Sequence, residues 1–577
     1  MLSTSFLVAR RAAIVAMVVG AASLSTSVVG ATAASAAKRA TVTFTVNSIA
    51  DRPDAKVNGV CLTSVSGECT LRAAIQEANA AAGAVTIAFA IPGTGLHTIK
   101  PASAYPILTN AKGGVTIDGF TQPGSAANTS ALADNAVYRI ELAGPGPTKF
   151  DAFVLHSPGS LIRGLDIHGF NHAIYMDQTS SASNTIVGNM IGLTPTGNYD
   201  PNDKLVNSSS CIIMQGGAHD NVIGRPNLAD RNVISGCSHE GIATYNYPTT
   251  RNTIQNNIIG LDPTGTQQRK NQSHGIDINT GTTYTMVGGT GALERNVLAG
   301  NFQTGIEISH IPSTAFNSVI NNYIGTNLDA SAAPSYAHNG QFGVNLEGRG
   351  TCNGQVCPSD AHNNMVEGNV IVNSGVGGVM IDKGQNHDTV SGNYIGVLPN
   401  GKAAGNADFG VRFEAGAYSN TISKNVIAYN GAGVQLEATG TQPPNSTESP
   451  TNFNQITKNS IFGNTAGLGI DFKPYGALNT TVDPNLNEGV LAPTLSKPTK
   501  TSVTVTTYAN CTIELFVSSK GNGQFGQGQT FLTSGVANAK GTLVLTVPAA
   551  GAGKVVTADA TTPKLSTSEN SRGLAIP

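Results

Sequence analysis

The chain reads as an all-β solenoid. A two-part repeat fills its middle, every copy carries Asn and Gly at the same places, and each part holds apolar residues at period two. One complete copy runs from Asp388 to Glu414, D-T-V-S-G-N-Y-I-G-V-L-P-N-G-K-A-A-G-N-A-D-F-G-V-R-F-E. Its first part is Asn/Asp-x-apolar-x-x-Asn-x-apolar, here Asp388, Val390, Asn393 and Ile395. Its second is Gly-apolar-x-apolar-x, here Gly410 to Glu414. Alternation of this kind predicts short strands rather than helix.

The first part recurs with its second Asn at Asn189, Asn232, Asn257, Asn296, Asn322, Asn369, Asn393, Asn425 and Asn459. The leading residues are Asn184, Asn221, Asn252, Thr285, Asn317, Asn364, Asp388, Asn420 and Asn454. Seven of the nine units keep these positions five apart; Asn221 to Asn232 and Thr285 to Asn296 keep them eleven apart, as if one six-residue insertion were made twice. The second part recurs at Gly241, Gly275, Gly305, Gly343, Gly378, Gly410, Gly433 and Gly469, with degenerate copies at Ala173 to Asp177 and Ser210 to Met214. Such a period predicts stacked coils. Stacked Asn pass amide hydrogen bonds along a corner and tolerate left-handed backbone there, so these columns are read as structural.

Residues 1 to about 36 read as a secretion signal, with Arg10 and Arg11 basic, Ala12 to Ala22 apolar, and Ala34-Ser35-Ala36 as an A-x-A cleavage site. The apolar run is too short and alanine-rich for a membrane anchor, and no second segment approaches twenty apolar residues. Export, to the cell surface or beyond, is the expectation. Charged residues make up 12% of the chain and the formal net charge is -2, which gives no reason to expect nucleic acid. A solenoid explains how 577 residues bury their apolar side chains, since each coil packs on its neighbours. A monomer is expected.

Seven cysteines fit an oxidising compartment. Cys61 with Cys69 and Cys352 with Cys357 can close small loops; Cys211 and Cys237, near one coil spacing apart, can stack; Cys511 is left over. No C-x-x-C pair exists and the histidines are scattered, so the spacing does not point to zinc.

Ala40 to Val46 alternates like a strand. Cys69 to Ala82 is the one convincing helix, with Leu71, Ile75 and Ala78 on one face. Laid across an open solenoid end, it would cover strand edges and core; Arg72 and Glu77 are expected to be solvated or locally paired. Cys69-Thr70-Leu71-Arg72-Ala73-Ala74-Ile75 resembles the Cys-Ser-Leu-Arg-Glu-Ala cap of secreted bacterial right-handed parallel β-helices, a pectate-lyase-like architecture, departing from it at Thr70 and Ala73. Thr116 to Gly124, T-I-D-G-F-T-Q-P-G, is similar to a segment that follows such caps. The resemblance spans residues 40 to 490 and implies a right-handed parallel β-helix; it implies no activity, since this architecture hosts several.

The expected layout is a signal at 1–36, cap and first strands at 37–135, the β-helix at 136–490 and a C-terminal β-sandwich at 491–577. Tyr138 to Leu142, Ala152 to Leu155 and Leu161 to Ile167 are read as the first coils. Loops such as G-L-T-P-T-G and G-L-D-P-T-G carry turn chemistry, and Thr326 to Gln341 and Gly348 to His362 are the longest. From Pro493 the coils stop and Val503 to Thr507, Thr512 to Ser518, Thr542 to Val547 and Lys554 to Asp559 alternate as antiparallel strands. That stretch is similar to a module that often follows such β-helices, and it would cap the other end.

In the Gly-apolar-x-apolar-x strand the x residues face outward. They form two columns: Asp277, Glu307, Asn345, Met380, Arg412, Gln435, Asp471, and Asn279, Ser309, Glu347, Asp382, Glu414, Glu437, Lys473. At about 4.8 Å per rung, neighbouring carboxylates repel by roughly 1 kcal/mol in water. Arg412 offsets part of this, and a calcium ion at Glu347, Asp382 and Glu414 would offset more; the alternative is a set of side chains splayed into water. Asp277, Glu307, Glu347, Asp382, Arg412, Glu437 and Asp471 are the candidate binding residues. Arg412, Glu414 and Asp382 are the candidate catalytic ones, through glycosidase carboxylate pairs or lyase chemistry with Arg412 or Lys473 as base.

No polygalacturonase-type catalytic set is present. Trp is absent, leaving Tyr175, Tyr245 and Tyr247 for sugar stacking. Asp166, His168 and His172 form one tight group, read as loop-edge hydrogen bonding. The leading expectation is an extracellular β-helix that binds a polysaccharide or envelope component; a polysaccharide lyase or hydrolase, and a structural spacer or adhesin, are the alternatives. No cofactor other than calcium is expected.

Overall fold

In a computed structural model the described residues are 41–577, apart from 147–148, 200–209, 310–312, 349–350, 353–354, 357–361, 439–449, 467 and 477. The expected signal segment lies outside them, as does Cys357 and with it the expected Cys352–Cys357 pairing. No helix among the described residues is long and apolar enough to cross a membrane.

Three long sheets run side by side. One has thirteen strands from Val42–Val46 to Gln455–Thr457, a second twelve from His97–Ile99 to Ser460–Phe462, and a third eleven from Phe153–Val154 to Ile470–Phe472. Every pairing within them is parallel, and from Val115–Asp118 onward each coil contributes one strand to each sheet. The chain is a right-handed parallel β-helix, the hand that parallel crossovers take. Sheet pairing already begins at Val42–Val46, so the N-terminal strands are themselves the first rungs.

Inward residues stack in register. Ile186, Ile223, Ile254, Val287, Val319, Val366, Val390, Ile422 and Ile456 form one such column, all within 2% of full burial. β-Branched side chains suit this pleated surface, and burying each contributes about 1.5–3 kcal/mol.

The Asn columns are hydrogen-bonded ladders. In one, each side-chain amide donates to the carbonyl oxygen of the next: Asn257 to Asn296 at 2.9 Å, Asn296 to Asn322 at 3.0 Å, Asn322 to Asn369 at 3.1 Å, Asn369 to Asn393 at 3.0 Å. The same amides also donate to backbone carbonyls one coil back, as Asn322 does to Val287 at 2.9 Å. The left-handed corner residue, however, is not the ladder Asn but the one before it: Ser183, Asp220, His387, Ser419 and Lys424 all have φ between 54° and 58°. That turn aims the following amide inward, where the ladder holds it.

α1 (Leu71–Ala80) closes the N-terminal end, its Leu71, Ile75 and Ala78 buried in the main core with Phe44, Val46 and Phe89. Thr70 caps it, accepting from the Ala73 N–H at 3.1 Å. With Ala at position 73 the reciprocal half of a capping box is missing. Arg72 and Glu77 are locally paired: Arg72 forks onto Asp51 at 2.9 and 2.8 Å, and Glu77 accepts from the Asn58 and Gly59 N–H groups at 2.8 and 2.7 Å.

The last coil is covered by a β-sandwich of a three-stranded and a four-stranded antiparallel sheet around Val503, Val505, Ile513, Leu515 and Val556. Its polar side chains satisfy edge groups of the final rung. Thr567 accepts from the Ile456 N–H at 2.9 Å, Glu514 from the Lys458 N–H at 2.7 Å, and Glu569 from the Phe472 N–H at 2.9 Å. Among the described residues two disulfides are formed, Cys61–Cys69 and Cys211–Cys237, and Cys511 is free and buried.

Candidate functional site

The two columns read from the Gly-apolar-x-apolar-x strands lie on the outward face of the third sheet. Asp277, Glu307, Asn345, Met380, Arg412, Gln435 and Asp471 face one another on successive rungs. Glu347 pairs with Asp382 in the neighbouring column, and Glu414, Glu437 and Lys473 stand one residue past their strands.

They do not splay into water. Asp277, Glu307 and Asp382 are 4%, 7% and 8% exposed, because side chains on rungs this close interlock. Asn345 donates to Glu307 at 3.4 Å, the Arg412 guanidinium bonds Gln435 and, at 2.7 Å, Asp408, and the Lys383 and Lys473 ammonium groups sit on Glu347 and Glu437. Arg412 also lies 4.2 Å from the Phe409 ring centroid. The cations found among Glu347, Asp382 and Glu437 are therefore lysines of the same face.

Where lysines do not relieve the crowding, the acids hold their protons more tightly than usual. Burial, with Glu347 beside it, holds the Asp382 carboxyl well above the usual range. Burial also raises Glu414, and pushes Asp471 up to about 6.

The densest cluster lies around Asp277. Burial, with Glu307 and Glu240 nearby, raises its carboxyl well above the ordinary value, while Asn279 donates to it at 3.1 Å. The Tyr245 hydroxyl lies against Asp277 and Glu240; burial and those charges raise its pKa. His274 Nδ1 is 3.4 Å from Glu307 Oε2, and burial pushes the imidazole down to about 4, so it is neutral at pH 7. A carboxyl of raised proton affinity, a second carboxyl, a neutral imidazole and a phenol thus share one spot, the ingredients of general acid–base chemistry.

Glu240 and His274 escaped the sequence reading. Their signal is positional: each immediately precedes the Gly of a repeat, Glu240-Gly241 and His274-Gly275. A third ladder was also missed, in which Asn271 donates to Asn301 and Asn301 to Asn339, both at 3.0 Å. Each of these Asn stands four residues before its Gly.

That third ladder borders a surface depression of about 380 Å³ lined by Gln268, Lys270, Phe302, Gln303, His338 and Gln341. It lies on the coils that carry Asp277, Glu307 and Asn345. Phe302 is 51% exposed, and the Lys270 ammonium stands 5.2 Å from its centroid.

Of the three tyrosines considered for stacking, Tyr247 is exposed, Tyr175 is stacked on His172 at 5.0 Å, and Tyr245 is packed against carboxyls. His172 does not join Asp166 and His168. The chain turns after His168, and the His172 Nδ1 meets Asp151 at 2.7 Å; Asp166 and His168 instead approach Glu141 on the second sheet.

A family described as periplasmic copper-binding protein (NosD) matches residues 349–491, the last coils of the β-helix and the chain leading out of it. No curated protein matches the chain. Among solved structures, the periplasmic alginate epimerase AlgG is 13% identical over 68% of this chain and 70% of its own, with a TM-score of 0.32. The enzymatically active domain of bacteriophage CBA120 tailspike protein 2 is 9% identical over 91% and 76%, at 0.29. A PL6 family polysaccharide lyase from Pseudopedobacter saltans is 11% identical over 67% and 89%, at 0.27.

Proposed function

We propose that this chain is an exported β-helix protein that binds a polysaccharide along the outward face of its third sheet. The observation that carries this reading is the depression on the turns that lead into the strands of Asp277, Glu307 and Asn345. At about 380 Å³ it falls within the usual range of ligand sites, roughly 300–1,000 Å³. Amides of Gln303 and Gln341 supply donors and acceptors for sugar hydroxyls, and Phe302 supplies a ring face. Two disulfides and the N-terminal Arg10–Ala36 stretch support export to the surface or beyond. The Thr70-capped helix is taken as a cap of the Cys-Ser-Leu-Arg-Glu-Ala type.

The test is a binding screen of the purified mature protein against neutral and acidic polysaccharides, with calcium and with chelator. Binding that Phe302→Ala and Gln303→Ala each weaken about tenfold supports the reading. Binding that neither variant changes, or none across the panel, sinks it. A loss of binding in chelator that Glu347→Gln reproduces would support calcium at Glu347, Asp382 and Glu414.

The cluster at Asp277 favours a second reading, in which the bound chain is also cleaved. Asp277 would protonate the leaving oxygen while Glu307 faces the sugar as nucleophile or base. Reducing ends or unsaturated products that vanish in Asp277→Asn would support it. Turnover that instead vanishes in Arg412→Ala or Glu414→Ala would move the chemistry along the same face.

A further inference from the structure

The outward face of the second sheet carries a group of donors apart from the site above. Glu141, on Ile140–Ala143, pairs in register with Asp166 on Leu165–His168, and Ala143 with His168. Asp166 and His168 are two residues apart on one strand and so face the same side. One donor atom from each of Glu141, Asp166 and His168 lies within 4.8 Å of the others.

The separations suit a shared ion. His168 Nε2 stands 3.0 Å from Glu141 Oε1 and 3.8 Å from Asp166 Oδ1. Around a tetrahedral divalent ion with bonds of about 2.1 Å, donors stand about 3.4 Å apart, a value the two distances bracket. All three residues are buried. Thr98 donates to Glu141 Oε2, which leaves Oε1 turned toward the imidazole. The next rungs beyond Asp166 bring Met190 and Val233, so the group sits at the edge of an apolar patch. A charged cluster in such a place is stable when its members are paired or hold a metal.

We propose that Glu141, Asp166 and His168 bind one first-row divalent cation, joining the coil of Glu141 to the next. One imidazole nitrogen with two carboxylate oxygens suits Zn²⁺ or Mn²⁺ better than the all-oxygen shells of Ca²⁺ or Mg²⁺. Glu141 lies one coil away from Asp166 and His168, which is why residue spacing did not disclose it.

The test uses the full mature chain, stripped with chelator and titrated with Zn²⁺ alone by calorimetry and native mass spectrometry. One Zn²⁺ per chain, bound at least 100-fold more weakly by both Glu141→Gln and His168→Gln, is the expected result. A stripped wild type that takes up no Zn²⁺, or variants that bind it as well as wild type does, would overturn the proposal and leave a His168–Glu141 ion pair. Thermal unfolding in chelator shows which variants fold; if His168→Gln does not, Glu141→Gln and Asp166→Asn decide by the same criterion.

Discussion

Asp388 stands in an asparagine ladder between Asn364 and Asn420. It accepts from the Asn364 N–H at 2.7 Å, and its own N–H donates to Asn420 at 2.9 Å. Burial pushes its carboxyl up to about 8, so the folded state prefers it protonated. The penalty for ionising it is absent below the unfolded value near 4, grows as pH rises, and levels off above 8. At about 1.4 kcal/mol per pKa unit, it approaches 4 kcal/mol at pH 7. Asp388→Asn should therefore stabilise the protein strongly at pH 8 and little at pH 4, as thermal unfolding at the two values would show. Asn369→Ala should do the opposite at every pH. It strands the Asn322 N–H, which donates to Asn369 at 2.8 Å, and takes one acceptor, at 3.1 Å, from the Asn322 side-chain amide, and should cost about 2–4 kcal/mol.

At the scale of elements, the ends of the solenoid are where local bonds decide stability. Glu514 receives the Lys458 N–H and the Thr457 hydroxyl at 2.7 and 2.6 Å. Glu514→Ala should leave these groups without that partner, and hydrogen exchange should quicken in the last coil while the middle coils stay protected. The Cys211–Cys237 bridge closes a loop 26 residues long, a constraint worth about 3 kcal/mol in the unfolded chain. Replacing both with Ser should lower the urea midpoint by a corresponding amount. The Asn-x-apolar and Gly-apolar-x-apolar units were legible because each strand carries its own period-two pattern and each corner its own Asn. The left-handed residue before most of these Asn was not legible, since Ser, Asp, His and Lys all fill it and it is the ladder that holds them there.

Over the whole molecule, residue order was enough to determine a solenoid of parallel coils, a capping helix at one end, antiparallel strands at the other, and which residues share a column of the third sheet. These depend on local periodicity and on repetition, which a chain displays to anyone reading it in line. What the tertiary structure alone decided is the state of those columns and the identity of their neighbours. Acids that could have been solvated became buried and interlocked and hold their protons more tightly, because rungs at about 4.8 Å leave little room for water between polar side chains. Glu240, His274 and Tyr245 gathered around Asp277, Phe302 came to border Gln341, and Glu141 met His168, each pair or group assembled from different coils. Parallel stacking brings together residues a full coil apart, and the coil length varies with every loop, so no spacing along the chain announces such a meeting.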